Sequence, residues 1–442
     1  MIRLAVVMSL LAALLLTLAR FSVGGAPGVV ISHAPGTDRD ATRMARERLG
    51  KLLFVDPLLS EPAGTSCSSC HDPAHAFSGL HGSTSGVPLG ALPGSYGLRN
   101  TPTLTYESEV PPFTFDKEDD PLEPKGGQFL DGRASFLDEQ AEGPLLSPRE
   151  MNNRTRALVV AKITAHHAAD FRAAFGADVF DHGERYAFLA VGAALQAYES
   201  TPTFHPFSSH FDRYRRGTYR LSDAESRGMT LFFASDKGNC STCHQARISF
   251  AKVVPLFTDF GYETLGVPRN QRIPDNADPD FFDLGLGGPK RTLPNDDQSF
   301  NGAFMTPILR NVAVKQAFMH NGIFTHLEEV VAFYATRDTN PWRWYPHNHP
   351  FNDTRPIDLP YVNTGAPFGG KPGAQPHLTA QEILDLVTFL RSLTDQEFEA
   401  ALPPLPTLRQ IDELLAPAQG PITAPPASPT ILDRRPPLLS GR

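Results

Sequence analysis

Apolar residues recur three and four positions apart along several segments of the chain, which is the spacing of an amphipathic α-helix. The clearest such segments are 41–54, 156–175 and 186–198. A Ser or Thr followed three residues later by Glu is typical of a helix start. Pairs of this kind open three more apolar runs, namely Ser222 with Glu225, Thr325 with Glu328, and Thr379 with Glu382. Alternating strand patterns are scarce, so the pattern predicts a mainly α protein with long irregular loops.

The two ends of the chain have patterns of their own. Arg3 precedes an apolar run, 4–19, and small residues follow it, which is the order of regions in an export signal. A membrane anchor needs about 20 apolar residues, so we expect the segment 1–25 to be cleaved and the mature protein not to be an integral membrane protein. The other end, 401–442, is rich in proline, which predicts a flexible tail with one short helix at 408–415.

Length and composition limit the partners and the number of cores. A chain of 442 residues is longer than a usual single domain, so two cores are expected. With 40 basic and 48 acidic residues the net charge is −8, and no basic run is present to bind phosphates, which argues against nucleic acid. The 41 prolines and 35 glycines predict irregular loops, and four cysteines are too few for a disulfide framework.

All four cysteines belong to one motif that occurs twice. Cys67, Cys70 and His71 form a C-x-x-C-H sequence, and the second copy is formed by Cys240, Cys243 and His244. This is the attachment motif of a c-type haem: the two thiols bond covalently to the porphyrin and the histidine ligates the iron. A zinc ion shared by the cysteine pairs, or two redox-active thiol pairs, would not explain the histidine after each pair. We therefore predict two c-type haems, whose attachment in bacteria is completed outside the cytoplasm.

Two haem motifs 173 residues apart predict two cytochrome c-like helical domains, each around one haem. The predicted domains are 26–215, with the first haem, and 216–400, with the second. The signal peptide, 1–25, precedes them and the Pro-rich tail, 401–442, follows. The Gly-, Pro-, Asp- and Asn-rich segment 266–301 is too long for a plain connector and is predicted to be a surface loop or a loop bordering the site.

Beyond the haem motifs, further blocks occur in a fixed order along the chain. They are Arg99-Asn100-Thr101-Pro102-Thr103, Phe129-Leu130-Asp131-Gly132-Arg133-Ala134, Glu139-Gln140-Ala141-Glu142-Gly143-Pro144, Thr306-Pro307-Ile308-Leu309-Arg310-Asn311-Val312, and Phe318-Met319-His320-Asn321-Gly322. In this combination the chain resembles the bacterial di-haem cytochrome c peroxidase family, and within it the MauG-like branch. The resemblance extends from about residue 49 to residue 393.

The resemblance implies an enzyme that reacts with hydrogen peroxide at the first haem. Gln140 and Glu150 match the family's residues on the open side of that haem, with Glu150 as the acid–base group and Gln140 as its orienting neighbour. A proton must move between the two peroxide oxygens as their bond breaks, which is why such a group is needed. Either residue alone would be read as a surface side chain on a helix.

The second haem is expected to carry a sixth ligand, so that it exchanges electrons without binding peroxide. Where the peroxidase branch has methionine, this chain has Tyr334, as the MauG-like branch does. A tyrosinate lowers the reduction potential relative to methionine. The plain alternative is a core tyrosine on the apolar face of its helix. Met305 and Met319 are rival ligands, but neither occupies the matching position.

The chain departs from the family at two positions. Many family peroxidases carry a loop histidine that occupies the first haem until reduction displaces it, and none lies between His81 and Arg99. The first haem is therefore expected to be open in its ferric state. The family's tryptophan between the haems is replaced by Leu130, an aliphatic side chain that cannot be oxidised transiently. His75 and His81 are interpreted as surface residues, or as residues that contact the iron ligands without binding the iron themselves.

The family also holds a calcium ion between its domains, and the resemblance implies one here. Asn100 would supply a side-chain oxygen, and Lys315 and Ala317 their backbone carbonyls, with water completing the shell. Residues 315 and 317 are usually Thr and Pro in the family. These substitutions weaken the prediction without removing it, because main-chain oxygens are the ligands.

Two enzymatic functions follow from the resemblance. One is peroxide reduction with electrons from a small periplasmic cytochrome c or cupredoxin. The other is MauG-like withdrawal of electrons from an aromatic side chain of a partner protein. Tyr334 and the missing loop histidine favour the second function, whereas Leu130 weakens it. A non-enzymatic di-haem electron carrier is the remaining alternative, and it would leave Gln140 and Glu150 without a role.

Overall fold

The computed structural model describes residues 39–116, 123–246, 254–278, 280–288, 298–345 and 362–418. Within these residues the α-helices are α1 (Arg39–Phe54), α2 (Cys67–Cys70), α3 (Leu137–Leu146), α4 (Arg156–Phe175), α5 (Glu184–Glu199), α6 (His210–Arg215), α7 (Asp223–Phe233), α8 (Leu327–Thr336), α9 (Pro341–Trp344), α10 (Ala380–Arg391) and α11 (Leu408–Leu415). The predicted signal peptide and the tail beyond residue 418 lie outside the described residues.

The strands in the same residues are short. They are β1 (Thr114–Asp116), β2 (Glu123–Lys125), β3 (Tyr262–Glu263) and β4 (Phe304–Met305). β1 pairs antiparallel with β2, and β3 pairs antiparallel with β4. Short 3₁₀ turns lie at Pro57–Leu59, Pro73–His75, Glu107–Glu109, Pro202–Phe204, Cys240–Thr242, Pro274–Ala277, Gln298–Phe300, Val312–Val314 and Gln396–Ala401. The prediction of a mainly α protein with long irregular loops is confirmed.

Two of the three predicted helix starts are confirmed and one is wrong. Ser222 caps α7 and Thr379 caps α10, each in a reciprocal capping box. At α8 the acidic residue is Glu329 rather than Glu328, and its carboxylate accepts hydrogen bonds from the N–H groups of Thr325 and His326. The helix begins one residue later than predicted because His326, and not Thr325, is its N-cap.

The described residues from Thr42 onward form one compact unit that contains two main hydrophobic cores. The first is built largely from α1, α3, α4 and α5, and the second from α7, α8, α10 and α11. In each core a glycine allows two helices to touch. A Cβ added to Gly50 would lie 2.0 Å from the carbonyl oxygen of Ala194, and one added to Gly228 would lie 2.0 Å from that of Asp385. These two crossings give the cores a similar architecture, although the boundaries of the two domains stay a prediction.

Buried polar contacts also join segments of this unit that are far apart in the sequence. The Tyr106 hydroxyl donates to the Asp395 carboxylate at 2.6 Å, and the Asn311 amide donates to the same carboxylate at 2.9 Å. Arg310 makes two hydrogen bonds of 2.8 Å to Asp212, and both side chains are almost completely buried. Because a buried charge is costly without a partner, these contacts hold segments distant in sequence in one arrangement.

None of the helices in the described ranges combines the length and the apolar character that crossing a membrane requires.

Candidate functional site

The first C-x-x-C-H motif is a single helical turn that positions its histidine. The N–H of His71 donates to the carbonyl of Cys67 at 2.8 Å, and its Nδ1 donates to the carbonyl of Phe77 at 2.9 Å. Burial lowers the pKa of His71 to about 4, so the imidazole is neutral. With Nδ1 occupied, Nε2 is left to ligate a metal, which is the usual arrangement of a haem-ligating histidine.

The second motif repeats this arrangement. The N–H of His244 donates to the carbonyl of Cys240 at 2.9 Å, and its Nδ1 donates to the carbonyl of Phe257 at 3.0 Å. Burial lowers the pKa of His244 to about 4 as well. Phe77 and Phe257 have φ values of +57° and +59°, a left-handed conformation that is uncommon for large side chains. Both backbones are thus strained at the carbonyl that orients the histidine.

None of the four cysteines forms a disulfide, and burial raises the pKa of the thiol groups of Cys67, Cys70 and Cys240 to about 12. A zinc site needs thiolates that converge on one point. Among the residues that the structure describes, no three His, Cys, Asp or Glu side chains are placed to share a metal ion. The zinc alternative therefore has no geometric support among these residues.

A cavity of about 390 Å³ holds most of the predicted site residues. Cys240, Cys243 and His244 line it together with Tyr334. Much of the remaining lining is apolar, including Leu265, Val267, Ile308, Leu309, Leu327, Val330, Val331, Leu386 and Leu390. Two thiols, an imidazole and a phenol around an apolar space fit a covalently bound haem. Gly266 and Val267 also line the cavity. They are the first residues of the segment 266–301, which was predicted to be a surface loop or a loop bordering the site.

Tyr334 is held in place by aromatic neighbours. Its ring stacks on that of Phe368, with 5.3 Å between centroids, and meets the ring of Phe333 edge-on. Burial and the nearby Cys243 and Cys240 raise the pKa of Tyr334. In the absence of a metal, the phenol is therefore neutral. Its role as an iron ligand stays a prediction, and the cavity that it shares with His244 supports that role.

The two predicted catalytic residues lie in different surroundings: Glu150 is near Cys70 of the first motif, whereas Gln140 lines the cavity that contains the second motif. Gln140 lies on α3 and lines the same cavity. Glu150 lies in the turn after α3, where its N–H donates to the carbonyl of Ser147 at 3.1 Å and its carbonyl accepts from the N–H of Ala91 at 2.7 Å. The pKa of Cys70 is raised by burial first and then by the carboxylate of Glu150. The structure thus places Glu150 near the first motif and Gln140 at the cavity.

Two segments 190 residues apart have the same local backbone. Each begins with an antiparallel bridge, Gln128 with Ala134 and Phe318 with Phe324. The residue after the first member of each bridge is left-handed, with φ values of +64° at Phe129 and +65° at Met319. Helices α3 and α8 then begin at equivalent residues, and both are 10 residues long. Gly132 and Gly322, each followed by the motif L-x-E, could have revealed this repeat in the sequence, but it was not predicted.

This register pairs the predicted site residues of the two helices. Gln140 on α3 corresponds to Val330 on α8, and Pro144 corresponds to Tyr334. Residues three and four apart on a helix share a face, so Pro144 lies on the face of α3 that Gln140 occupies. Where the second half has the phenol of Tyr334, the first half therefore has Pro144, whose side chain has no atom that can ligate iron.

The same register pairs Leu130 with His320, and both line the cavity. The N–H of Met305 donates to the carbonyl of Leu130 at 2.9 Å, and the N–H of Asn100 donates to that of His320 at 2.8 Å. The imidazole of His320 stacks on Phe304 with 3.7 Å between ring centroids. Sequence reasoning assigned no role to His320, which is the aromatic side chain at this position of the second half.

The two remaining histidines near the first motif have local partners. Nδ1 of His75 lies 2.7 Å from the carboxylate of Asp72, and Nδ1 of His81 donates to the carbonyl of Leu89 at 2.9 Å. Both side chains are partly exposed. These contacts agree with the interpretation of both residues as surface residues, or as residues that contact the iron ligands without binding the iron themselves.

The residues at the predicted calcium site do not fit that ion. The amide nitrogen of Asn100 donates to the carbonyl of Ala317 at 2.6 Å, and the ammonium of Lys315 donates to the Ser78 hydroxyl and the Thr101 carbonyl. Calcium requires several oxygen atoms directed at one point. Burial lowers the pKa of Lys315 to about 8, and the neighbouring Glu107 opposes that shift. No part of the chemistry proposed below is assigned to calcium.

Comparisons with known proteins agree with this geometry. A family model described as di-haem cytochrome c peroxidase matches residues 44–220. The methylamine utilization protein MauG of Paracoccus denitrificans is 38% identical over 397 residues, which cover 85% of this chain and 96% of that protein. The cytochrome c551 peroxidase of Pseudomonas aeruginosa is 30% identical over 291 residues, which cover 65% of this chain and 70% of that protein.

Solved structures show the same relationship. The crystal structure of the diheme peroxidase BthA from Burkholderia thailandensis superposes with a TM-score of 0.75 at 41% sequence identity, and it covers 81% of this chain and 88% of that one. The prediction of a peroxidase-type oxidoreductase with two c-type haems is confirmed at this level, and such an enzyme uses peroxide and a redox or substrate protein. The chain belongs to the di-haem cytochrome c peroxidase family that includes the MauG proteins.

Proposed function

We propose that the protein is a MauG-like di-haem peroxidase whose first haem is open to peroxide and whose second haem is closed by Tyr334. One observation carries this proposal: in two segments of equal local backbone, Tyr334 occupies the position that Pro144 occupies in the other half. A phenolate can ligate iron, and a proline side chain cannot. The two haems would therefore differ in ligation although their attachment motifs are alike.

The chain's own residues prepare the first site for peroxide. A bound haem supplies an iron centre that accepts a peroxide oxygen and gives up electrons. Glu150 takes the proton from one peroxide oxygen and gives it to the departing one, and Gln140 orients the carboxyl group of Glu150 for this transfer. The turn contacts of Glu150 with Ser147 and Ala91 fix the backbone from which this carboxylate acts.

Oxidising equivalents then pass through the second haem to a partner protein outside the cytoplasm. An aromatic side chain of a partner, or a small cytochrome c or cupredoxin, would supply the electrons. MauG of Paracoccus denitrificans is named for methylamine utilization, and the Pseudomonas aeruginosa relative for cytochrome c551. The export signal and the site of haem attachment in bacteria support a periplasmic location. The net charge of −8 favours a partner that tolerates an acidic surface.

Leu130 favours the second candidate function, which is plain peroxide reduction. The side chain that lines the cavity at this position is aliphatic, so it offers no oxidisable group between the haems. Remote oxidation of a partner needs efficient sharing of charge between the haems, whereas peroxide reduction with one-electron donors needs less. Ligation by Tyr334 distinguishes the MauG-like proposal from the methionine-ligated peroxidase branch.

Replacing Tyr334 by phenylalanine should remove the six-coordinate low-spin ferric signal from the electron paramagnetic resonance spectrum and leave the signal of the first haem unchanged. The phenol oxygen is the only atom lost, so folding around the apolar ring is retained. The untreated protein should show one high-spin and one low-spin ferric haem.

Tyr345→Phe is the matched control, because it removes the hydroxyl of another tyrosine in the second core, one that donates to the carbonyl of Gly266. Its spectrum should equal that of the wild type. Two low-spin haems in the wild type, or a low-spin signal that persists in Tyr334→Phe, would contradict the proposed ligation.

A further inference from the structure

The segment 315–320 meets the segments around Ser78 and Thr101 where the family's calcium ion was expected, and we call this contact the junction. Lys315 places a positive charge there. Its ammonium donates to the hydroxyl of Ser78 at 2.9 Å and to the carbonyl of Thr101 at 2.8 Å. Ser78 and Thr101 are themselves joined, because the Ser78 hydroxyl donates to the Thr101 carbonyl at 3.0 Å. Ser78 is almost fully buried, and so is Thr101. The ammonium therefore ties the 315 segment to two segments of the first half.

The amide of Asn100 reinforces the same junction without a metal. Its nitrogen faces the carbonyl of Ala317 at 2.6 Å and that of Met319 at 3.4 Å, while its backbone N–H donates to the carbonyl of His320 at 2.8 Å. Two carbonyl oxygens require a donor, so the amide presents its NH₂ group to them. The oxygen that would ligate calcium is thus directed away from the Ala317 carbonyl.

A calcium ion at this point would meet a like charge. Two cations repel strongly where water is excluded, and the charge of Lys315 is fixed to the segment that would supply two of the three protein ligands. The ammonium supplies the function of a bound cation at such a junction, since it draws together carbonyl and hydroxyl oxygens from separate segments. Threonine, the usual residue here in the family, cannot do so.

We propose that Lys315 is a built-in cation that replaces calcium, so that this enzyme joins its two halves without a metal ion at this junction.

The first test uses the intact di-haem protein. After purification without chelator, elemental analysis should find no stoichiometric calcium relative to iron. Addition of EGTA, followed by an excess of CaCl₂, should change neither the melting temperature nor the haem absorption spectrum. One calcium ion per two haems, with a spectrum or melting temperature that EGTA alters and CaCl₂ restores, would overturn the proposal.

The second test converts the junction. Lys315→Thr should melt at a lower temperature than the wild type, and added CaCl₂ should restore part of the loss, because removal of the ammonium opens the position to a divalent cation. Lys315→Met removes the charge but retains the bulk, so it should be destabilised without any response to calcium.

Lys162→Met is the matched control. Lys162 donates to Ser60 and Asn153 in the first core and is mostly buried, but it lies outside the junction. It should lose stability without a response to calcium. Wild-type stability of both Lys315 variants would show that the ammonium does not hold the junction. If the Lys315 variants do not fold, the calcium content of the wild-type protein still decides the question.

Discussion

Replacing Glu150 by glutamine is expected to slow the reaction with hydrogen peroxide by about 10²- to 10⁴-fold, the usual cost of losing a positioned acid–base group. Glutamine keeps the size and the polarity of the side chain but cannot exchange a proton. The backbone contacts of residue 150 with Ser147 and Ala91 do not involve the carboxyl group, so the turn should persist. Stopped-flow absorption after mixing with peroxide measures the rate.

Glu142→Gln is the control for this variant. Glu142 lies two residues after Gln140 on α3 and therefore faces another direction. It should react at the wild-type rate, and the pyridine haemochrome assay should give two haems per chain for both variants. A Glu150→Gln protein that reacts within a factor of about two of the wild type would remove Glu150 from the mechanism, since any real acid–base role costs far more.

Replacing Pro144 by tyrosine is expected to close the first haem. The 190-residue register places residue 144 where Tyr334 stands in the second half, so the new phenol would be directed at the first haem as Tyr334 is proposed to be directed at the second. If the new phenol leaves the first haem accessible to peroxide only about one per cent of the time, the rate of the peroxide reaction falls about 100-fold. Electron paramagnetic resonance should show loss of the high-spin signal, and stopped-flow mixing should show the slower reaction.

Arg154→Tyr adds the same side chain at an exposed position further along the chain, outside the turn that carries Glu150. It should retain the high-spin signal and the wild-type rate. A Pro144→Tyr protein that folds with both haems and keeps its high-spin signal would show that the two segments do not place these residues equivalently. Pro144 would then give no structural reason for the first haem to be open.

Local signals in the sequence were sufficient for much of the fold. The capping boxes at Ser222 and Thr379 identify helix starts because both partners lie within one turn. The same reasoning failed at Thr325, where Glu328 and Glu329 are adjacent and only the backbone decides which of them turns back. The two C-x-x-C-H motifs identify the haems for a similar reason, since attachment depends on five consecutive residues.

Features that depend on long-range contacts could not be read from the sequence. The destination of the Lys315 ammonium depends on Ser78 and Thr101, which are more than 200 residues away. From the sequence alone, a lysine at that position is compatible with calcium ligation by backbone oxygens, because the sequence does not show where its ammonium group lies. The equivalence of Pro144 and Tyr334 is clear from two backbone bridges and two left-handed residues, whereas the sequence indicates it only through a shared glycine and a shared L-x-E motif.

The reaction of the fully ferric protein with one equivalent of hydrogen peroxide tests the central claim most directly. The first haem is proposed to be open without prior reduction, because no histidine lies between His81 and Arg99 and because Pro144 offers no ligand. We predict a rapid change in the haem absorption spectrum of the diferric protein, followed by slow decay when no electron donor is present. A diferric protein that is inert, with reaction only after one haem has been reduced, would contradict the MauG-like assignment and identify a reductively activated peroxidase.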